Sequence, residues 1–246
     1  MTSQLQSHSP TESPLTTPER SLWNNLIDAL FPPHCGGCRA AGSLWCADCQ
    51  SKLAFIREPM CAQCGEPHTP SRLCSKCRQH PLKIEFIRSV VIFQGTVRDA
   101  IHRFKYERLS SLAEPFGDLL AQYWIDNQLR ADWSVPVPLH SARQRDRGYN
   151  QSALLARRLS DRIYIPAIEN GLKRIRVTAV QMELNAAQRR QNVAGAFECT
   201  DRRVKDQRVC IIDDVCTTGA TLDACAEALY QAGAAAVFAL TLARTP

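Results

Sequence analysis

The chain has 246 residues, of which 45% are hydrophobic and 22% are charged. These are ordinary globular values, and they exclude a wholly disordered chain. The formal charge of +6 is mildly basic and does not by itself indicate a nucleic-acid-binding protein. At roughly 100–200 residues per domain, the length predicts one large domain or two unequal ones.

The N-terminal segment, residues 1–20, is rich in Ser, Thr and Pro and has no apolar period, so we expect a disordered tail. Residues 21–31 place apolar side chains at helical spacing and predict a short packing helix that ends at a Pro-Pro pair. The longest weakly polar run, residues 232–243, is shorter than the ~20 residues of a membrane-spanning helix. No secretory signal follows Met1. We therefore expect a cytoplasmic protein without membrane insertion.

Eight of the twelve cysteines form four CxxC pairs: Cys35/Cys38, Cys46/Cys49, Cys61/Cys64 and Cys74/Cys77. A CxxC turn places two thiolates on one side of a tight knuckle, and two knuckles supply four sulfurs for a tetrahedral Zn²⁺. In a reducing compartment the pattern predicts two structural zinc sites that have no open position for catalysis. We expect residues 21–80 to form one module, the short helix followed by a double zinc ribbon.

The cysteine spacing leaves the grouping of the ligands open. Sequential grouping (35/38/46/49 and 61/64/74/77) is the simplest assignment, and an interleaved arrangement is compatible with the same spacing. A redox-active CxxC that exchanges disulfides is an alternative, but it would account for only one of the four CxxC pairs. His34, His68 and His80 lie nearby and are expected not to bind metal, since eight cysteines complete both sites.

After the cysteine module the sequence alternates between strand and helix patterns. β-branched and aromatic residues predict strands over residues 84–93, 133–139, 209–215 and 236–242. Amphipathic spacing predicts helices over residues 99–106, 110–128, 150–162 and 221–232. This alternation indicates an α/β domain over residues 81–246, with a mostly parallel sheet flanked by helices.

Residues 209–221, VCIIDDVCTTGAT, carry the strongest functional signal. An apolar strand is followed by Asp213 and Asp214, then by a loop of small and hydroxyl residues and a helix. Ligands of open α/β sheets bind beyond the carboxyl ends of the strands, and a helix N-terminus suits a phosphate. Gly219 permits close approach, and Thr hydroxyls can donate to phosphate oxygens. The two acids fit ribose hydroxyls or a Mg²⁺ ion bound to a polyphosphate.

This segment resembles the signature of type I phosphoribosyltransferases, which use 5-phosphoribosyl-1-diphosphate (PRPP). The resemblance implies that the acids contact the ribose, that the loop holds its 5-phosphate, and that Mg²⁺ binds with PRPP. Carried over, the catalytic residues are Asp213 and Asp214, and the phosphate ligands are Thr217, Thr218, Gly219, Ala220 and Thr221. Thr217 stands where purine-salvage members carry an Asp that acts as the catalytic base. A Thr hydroxyl is a poor proton acceptor, so this residue disfavours purine-base salvage.

Basic residues concentrate in residues 143–208, where 15 Lys+Arg against 7 Asp+Glu give a local net charge of +8. The resemblance places the diphosphate contacts in a loop over residues 140–149, which contains Arg143, Arg145 and Arg147, and the expected ligands among these are Arg143 and Arg147. Lys105 is also expected to face the ligand. Residues 174–192 (with Arg174, Arg176, Gln181, Arg189 and Asn192) are predicted to form a mobile hood that excludes water and includes a helical segment over residues 184–191.

A double zinc ribbon followed by such a domain resembles the ComF/GntX family, which is associated with bacterial competence and the use of external DNA. Further matching stretches are FKY (104–106), VPLH (137–140), RGYNQ (147–151) and QRRQNVAGAF (188–197). The resemblance spans about residues 21–244. It implies PRPP as a ligand and suggests single-stranded DNA and other competence or DNA-uptake proteins as further partners.

Three functions follow from these patterns: a phosphoribosyltransferase of unidentified acceptor, a single-stranded nucleic-acid-binding competence factor, and a PRPP sensor without turnover. Candidates for base stacking are Trp45, Phe55, Tyr149 and Phe197. Cys199, Cys210 and Cys225 are expected to be small core residues, whereas Cys216 in the loop is a candidate reactive thiol. Neither the acceptor nor the oligomeric state is indicated by the sequence.

Overall fold

The computed structural model describes residues 32–176 and 186–246. The chain divides into two units, Met1–Pro33 and His34–Pro246, and nearly all described residues lie in the second. The predicted tail and the predicted helix over residues 21–31 lie outside the described residues. Among the described residues, no helix has both the length and the apolar character that a bilayer crossing requires.

A four-stranded sheet forms the centre of the second unit. The strands of the described chain are β1 (Ile87–Ile92), β2 (Trp133–Pro136), β3 (Leu172–Arg174), β4 (Phe197–Cys199), β5 (Arg208–Cys216) and β6 (Ala236–Arg244). The order across the sheet is β1-β6-β5-β2, and every neighbouring pair is parallel. Strands β5 and β6 lie in the middle, which explains their nearly continuous apolar sequences. Strands β3 and β4 pair antiparallel in a separate small sheet.

Helices cover both faces of the parallel sheet. In chain order the described α-helices are α1 (Ala47–Ser51), α2 (Ser75–Gln79), α3 (Gly95–Tyr106), α4 (Ala113–Asp126), α5 (Ser141–Arg147), α6 (Gln151–Ile163), α7 (Ala186–Val193) and α8 (Ala220–Gln231). Alternate strand residues point to opposite faces. Thus Ile211 of β5 shares one core with Leu229 of α8, and Ile212 shares the other core with Phe104 of α3.

The cysteine-rich segment consists of two copies of one local structure. Cys46 caps α1 and Cys74 caps α2. In each copy the cap sulfur accepts a hydrogen bond from the backbone N–H three residues later, at 3.4 Å from Cys49 and 3.5 Å from Cys77. The second CxxC of each copy therefore spans the first turn of a short helix, which holds its two sulfurs on the same side.

The predicted fold class is confirmed, with a parallel sheet flanked by helices after two four-cysteine clusters. Element ends differ where the usual signals are missing. Helix α3 begins at Gly95 rather than at residue 99. The earlier start is not visible in the sequence, because the N-cap residue, Gln94, is not a typical capping residue and makes no side-chain capping bond. Strand β2 ends at Pro136 rather than residue 139, since prolines at 136 and 138 supply no N–H to a sheet.

Candidate functional site

The eight cysteines form two separate clusters, grouped sequentially. The first cluster is Cys35, Cys38, Cys46 and Cys49, and the second cluster is Cys61, Cys64, Cys74 and Cys77. In each cluster the four sulfur atoms lie within 4.8 Å of one another. The sequential assignment is therefore correct, and the interleaved alternative is wrong. Each set supplies the four thiolates that a structural Zn²⁺ requires.

The backbone around the first cluster is shaped for a metal ion. A Cβ at Gly37 would lie 2.6 Å from Cys49 Sγ, so the knuckle closes only with glycine there. The N–H groups of Gly37 and Cys46 each donate to Cys35 Sγ at 3.4 Å. Burial opposes ionisation of Cys35, but backbone N–H donors outweigh it and lower the pKa of this thiol to about 6, whereas burial raises the pKa of its neighbour Cys49 to about 12. A thiolate at neutral pH is the form that binds zinc.

Asp213 and Asp214 lie near the carboxyl end of β5 and differ in their surroundings. Asp214 is buried, and Lys105 Nζ from the end of α3 lies 2.7 Å from its Oδ1. Asp213 Oδ1 accepts hydrogen bonds from Ser152 Oγ at 2.7 Å and from the Asp214 N–H at 2.9 Å. Burial, and then the negative charge of Asp214, raise the pKa of Asp213 to about 7. The two carboxyls therefore combine an ion-paired group with one that titrates near neutral pH.

The loop after β5 leads into α8 without a side-chain cap. Its N-cap is Gly219, with φ +80°, and a Cβ there would lie 2.7 Å from Ile87 Cδ1. The Ala220 N–H contacts Thr218 Oγ1 at 3.4 Å. The remaining first-turn N–H groups of this 12-residue helix carry the positive end of its dipole. We call residues 216–221 the phosphate loop, after the role that the sequence resemblance implies for them.

One cleft of about 1090 Å³ adjoins the acids, the phosphate loop and the basic segment. It is lined by eight of the ten residues predicted to contact a ligand or to act in catalysis: Lys105, Arg143, Arg147, Asp213, Asp214, Thr217, Gly219 and Thr221. Thr218 and Ala220 do not line the cleft. The structure thus brings together residues up to 116 positions apart in the sequence.

The basic segment expected to be a loop is largely the helix α5, Ser141–Arg147. His140 caps its start, accepting from the Ala142 N–H at 3.3 Å, and Gly148 ends it in the left-handed conformation. A spacing of four places Arg143 and Arg147 on the same face, which lines the cleft. The expectation of a loop was wrong, because residues at both ends of this basic segment, His140 and Gly148, cap a helix.

Arg174 of β3 adds a third guanidinium to the cleft. Burial, and then the positive charge of Arg143, lower the pKa of Arg174. Within the described residues, Arg143 and Arg147 form no ion pair with an acid. This side of the cleft is therefore suited to an anion with several charges.

The predicted hood is only partly described, since residues 177–185, including Gln181, lie outside the described residues. A helix is present as α7, Ala186–Val193, where the sequence predicted residues 184–191. Arg176 donates to the backbone oxygens of Asn192 at 3.1 Å and Ala194 at 2.6 Å. Arg176 thus ties the chain just after β3 to the C-terminal end of α7.

Sequence reasoning missed Ser152 and Thr245. Ser152 lies in the first turn of α6 and holds Asp213, and the Thr245 N–H donates to the Cys216 oxygen at 3.0 Å beside the cleft. The only sequence signal for Ser152 is its position just after the capping residue Asn150, where a first helical turn begins. Nothing in the sequence indicates the role of Thr245, because its contact depends on the register of β5 and β6.

The thiol of Cys216 is not placed for reactivity. The residue is 2% exposed, and burial raises the pKa of its thiol to about 11, although Arg244 Nη1 lies 3.2 Å from the sulfur. Cys210 and Cys225 are buried core residues, as expected, and Cys199 is half-buried.

Most of the predicted stacking residues are already engaged within the protein. Phe197 is buried, Tyr149 donates its hydroxyl to the Phe104 oxygen at 2.5 Å, and Trp45 packs edge-on against Phe116. Phe55 is the one candidate of the four that keeps a large exposed surface, 46%. The expected platform for single-stranded bases is therefore reduced to a single ring.

Two family models match the chain, and together they cover most of it. A double zinc ribbon domain matches residues 26–78, and a phosphoribosyl transferase domain matches residues 149–246. DNA utilization protein YhgH of Escherichia coli K12 is 35% identical over 225 residues, which are 87% of this chain and 98% of that protein. The chain belongs to the ComF/GntX family.

Two further relatives also match most of this chain. Competence protein F of Haemophilus influenzae is 30% identical, covering 86% of this chain and 95% of that protein. Competence protein ComFC of Bacillus subtilis is 28% identical, covering 81% and 84% respectively. A solved glutamine PRPP amidotransferase of B. subtilis is 25% identical over 54% of this chain and 26% of that chain, with a TM-score of 0.38.

Proposed function

We propose that the cleft binds PRPP together with Mg²⁺ and that the protein is a phosphoribosyltransferase-like member of its family. The observation that carries the proposal is the pair Asp213–Asp214, set beside an uncapped helix N-terminus and three arginines in one cleft. PRPP presents a phosphate, two ribose hydroxyls and a diphosphate, and the cleft offers a matching group to each of the three parts.

The phosphate loop suits the 5-phosphate, because the N-terminus of α8 supplies N–H groups and Thr217 and Thr221 supply hydroxyls. The acids suit the ribose hydroxyls, which donate to carboxylate oxygens. Arg143 and Arg147 suit the diphosphate, since guanidinium groups bind phosphate oxygens in two-pronged geometry. Asp213 and Asp214 would also hold Mg²⁺, a cation that prefers carboxylate and phosphate oxygens and that offsets the charge of the diphosphate.

The reaction that such an arrangement supports is transfer of the phosphoribosyl group. The bond between ribose C1 and the diphosphate oxygen breaks, the electron pair leaves with the diphosphate, and a bond from C1 to the acceptor forms. The arginines stabilise the negative charge that develops on the departing group. The phosphate loop supplies no strong base, because Thr217 lines the cleft where a carboxylate would be needed, so the acceptor is expected to arrive as a competent nucleophile.

The proposal is tested by calorimetric titration of the full chain with PRPP and Mg²⁺, using two variants of one helix. Arg143→Gln removes a charge that lines the cleft, whereas Arg145→Gln removes the same charge from an exposed position outside its lining. We expect Arg143→Gln to weaken binding at least about tenfold, as a lost charged hydrogen bond would, and Arg145→Gln to change it less than about twofold. A wild-type chain that gives no heat of binding removes the proposal.

A role in the use or uptake of DNA is a second part of the proposal. It is supported by the relatives named DNA utilization protein and competence protein, and by the local charge of residues 143–208. Because the clustered cysteines require a reducing compartment, we propose a cytoplasmic location.

A PRPP sensor differs from an enzyme in one measurable respect, since it would bind PRPP and release no diphosphate with any acceptor.

Direct contact with single-stranded DNA is expected to depend on charge rather than on stacking, because three of the four predicted aromatic rings are engaged internally. Fluorescence anisotropy with a labelled oligonucleotide should therefore give an affinity that falls steeply between about 50 and 200 mM salt. Phe55→Ala should change the affinity little. No binding at the lowest salt concentration would exclude DNA as a direct partner and would leave the PRPP proposal intact.

A further inference from the structure

We propose that Arg244 is a positioning residue that couples the second cysteine cluster to the phosphate loop, so that zinc bound at this cluster orders residues 216–221. The inference rests on the proposed function for its meaning, because it makes PRPP binding depend on the zinc content of one ribbon. Its first test measures the loop itself and requires no ligand.

The guanidinium of Arg244 lies between the two elements. Arg244 is at the end of β6 and is 2% exposed. Its Nη1 donates to the Cys64 oxygen at 2.8 Å and to Cys216 Sγ at 3.2 Å. Its Nη2 donates to Glu66 Oε2 at 2.7 Å and lies 3.8 Å from Cys64 Sγ. One buried cation therefore contacts a zinc-ligating residue and the first residue of the phosphate loop.

A second connection runs through β1 and does not involve Arg244. The Ile87 N–H donates to the Gln63 oxygen at 2.7 Å, which fixes the strand to the knuckle between Cys61 and Cys64. Ile87 then packs on the loop, since a Cβ at Gly219 would lie 2.7 Å from Ile87 Cδ1. The turn between Cys61 and Cys64 is thus connected to the phosphate loop at two points, to Cys216 through Arg244 and to Gly219 through Ile87.

Zinc binding changes the forces on Arg244. Four thiolates around one Zn²⁺ carry a net negative charge, which attracts the guanidinium beside Cys64. Without zinc the thiolates lose the ion that holds them together, and the knuckle is free to relax. A buried cation whose partners move away is costly, so Arg244 must shift with them and release Cys216. The loop is therefore expected to lose order when the second cluster is emptied.

The first cluster faces a different part of the fold. Arg103 of α3 donates to the oxygens of Gly36 and Gly37, and a Cβ at Gly36 would meet Leu112. No described hydrogen bond joins the first cluster to residues 216–221. It therefore provides a matched control for removal of zinc from the second.

The first test compares Cys74→Ala with Cys46→Ala in the full chain. Each residue caps the short helix of its own ribbon, so the two substitutions remove equivalent ligands. Both variants are treated with a chelator until one zinc ion per chain remains, and amide hydrogen exchange is followed by mass spectrometry. We expect exchange in residues 216–221 to become at least about tenfold faster in Cys74→Ala and to stay unchanged in Cys46→Ala. An equal effect in both variants, or none in either, overturns the proposal.

The second test changes the coupling residue and keeps the zinc. Arg244→Gln should retain two zinc ions per chain and still show faster exchange in the loop, with partial recovery in Arg244→Lys. If Arg244→Gln does not fold, Glu66→Gln removes one partner of Arg244, and Lys76→Gln is its control because it removes only the exposed pair with Glu66. Unchanged loop exchange in Glu66→Gln overturns the proposal.

PRPP affinity then separates this inference from the proposed function. If the wild-type chain binds PRPP with Mg²⁺, Arg244→Gln should weaken that binding about tenfold or more while leaving the zinc content at two. If the wild-type chain does not bind PRPP, the proposed function fails, and the exchange measurements still decide the role of Arg244.

Discussion

Lys105→Met is expected to lower the free energy of unfolding by about 2–3 kcal/mol and to abolish PRPP binding. Lys105 Nζ lies 2.7 Å from the buried Asp214, so the substitution leaves a carboxylate in the protein interior without its cation. The expected loss is below the roughly 3–5 kcal/mol of a fully buried pair, because the Lys105 side chain retains 21% of its exposed surface. Urea denaturation of the zinc-loaded chain measures it.

Two controls separate the stability of this pair from its function. Lys52 forms an equally short pair with Asp48, 2.7 Å, in which both side chains are more than half exposed, so Lys52→Met should leave unfolding unchanged. The double variant Lys105→Met with Asp214→Asn should recover most of the lost stability, since no unpaired charge remains. It should not recover PRPP binding. If the single and double variants are equally unstable, the ion pair is not the cause.

Asp213→Asn is expected to stabilise the protein relative to wild type, and increasingly so as the pH rises from about 4 to about 7. The pKa of Asp213 is raised from 3.8 to about 7, chiefly by burial and then by the charge of Asp214. The folded protein therefore holds a proton that the unfolded chain releases in this range. Stability that is present below the unfolded pKa is lost as the pH rises through the folded one, by up to about 4 kcal/mol.

The measurement is the difference in unfolding free energy between wild type and Asp213→Asn at each pH. Zinc release from the cysteine clusters at acid pH affects both proteins equally and cancels in the difference. The asparagine oxygen can still accept from Ser152 and from the Asp214 N–H, so the local hydrogen bonds persist. A difference that is flat between pH 4 and pH 8 would contradict the raised pKa.

Local sequence order was sufficient for the parts of this protein that are made from neighbouring residues. Each zinc cluster is built from two CxxC turns, which span 15 consecutive residues in the first cluster and 17 in the second, so the spacing alone predicts two metal sites. The strand, the acid pair and the start of the next helix are contiguous at residues 209–221, and their order predicted a ligand site at the edge of a parallel sheet. The arginines of α5 were predicted as ligands although their helix was not.

Only the tertiary structure decided which distant groups meet at that edge. Lys105 is paired with Asp214, Ser152 with Asp213, and Arg244 with Cys64. The last two pairs join residues that are 61 and 180 positions apart in the sequence. No local pattern encodes such contacts, because they depend on strand order and register. The packing that brings these groups together also buries Asp213 and thereby raises its pKa. The protonation of the site therefore follows from the packing and not from the motif alone.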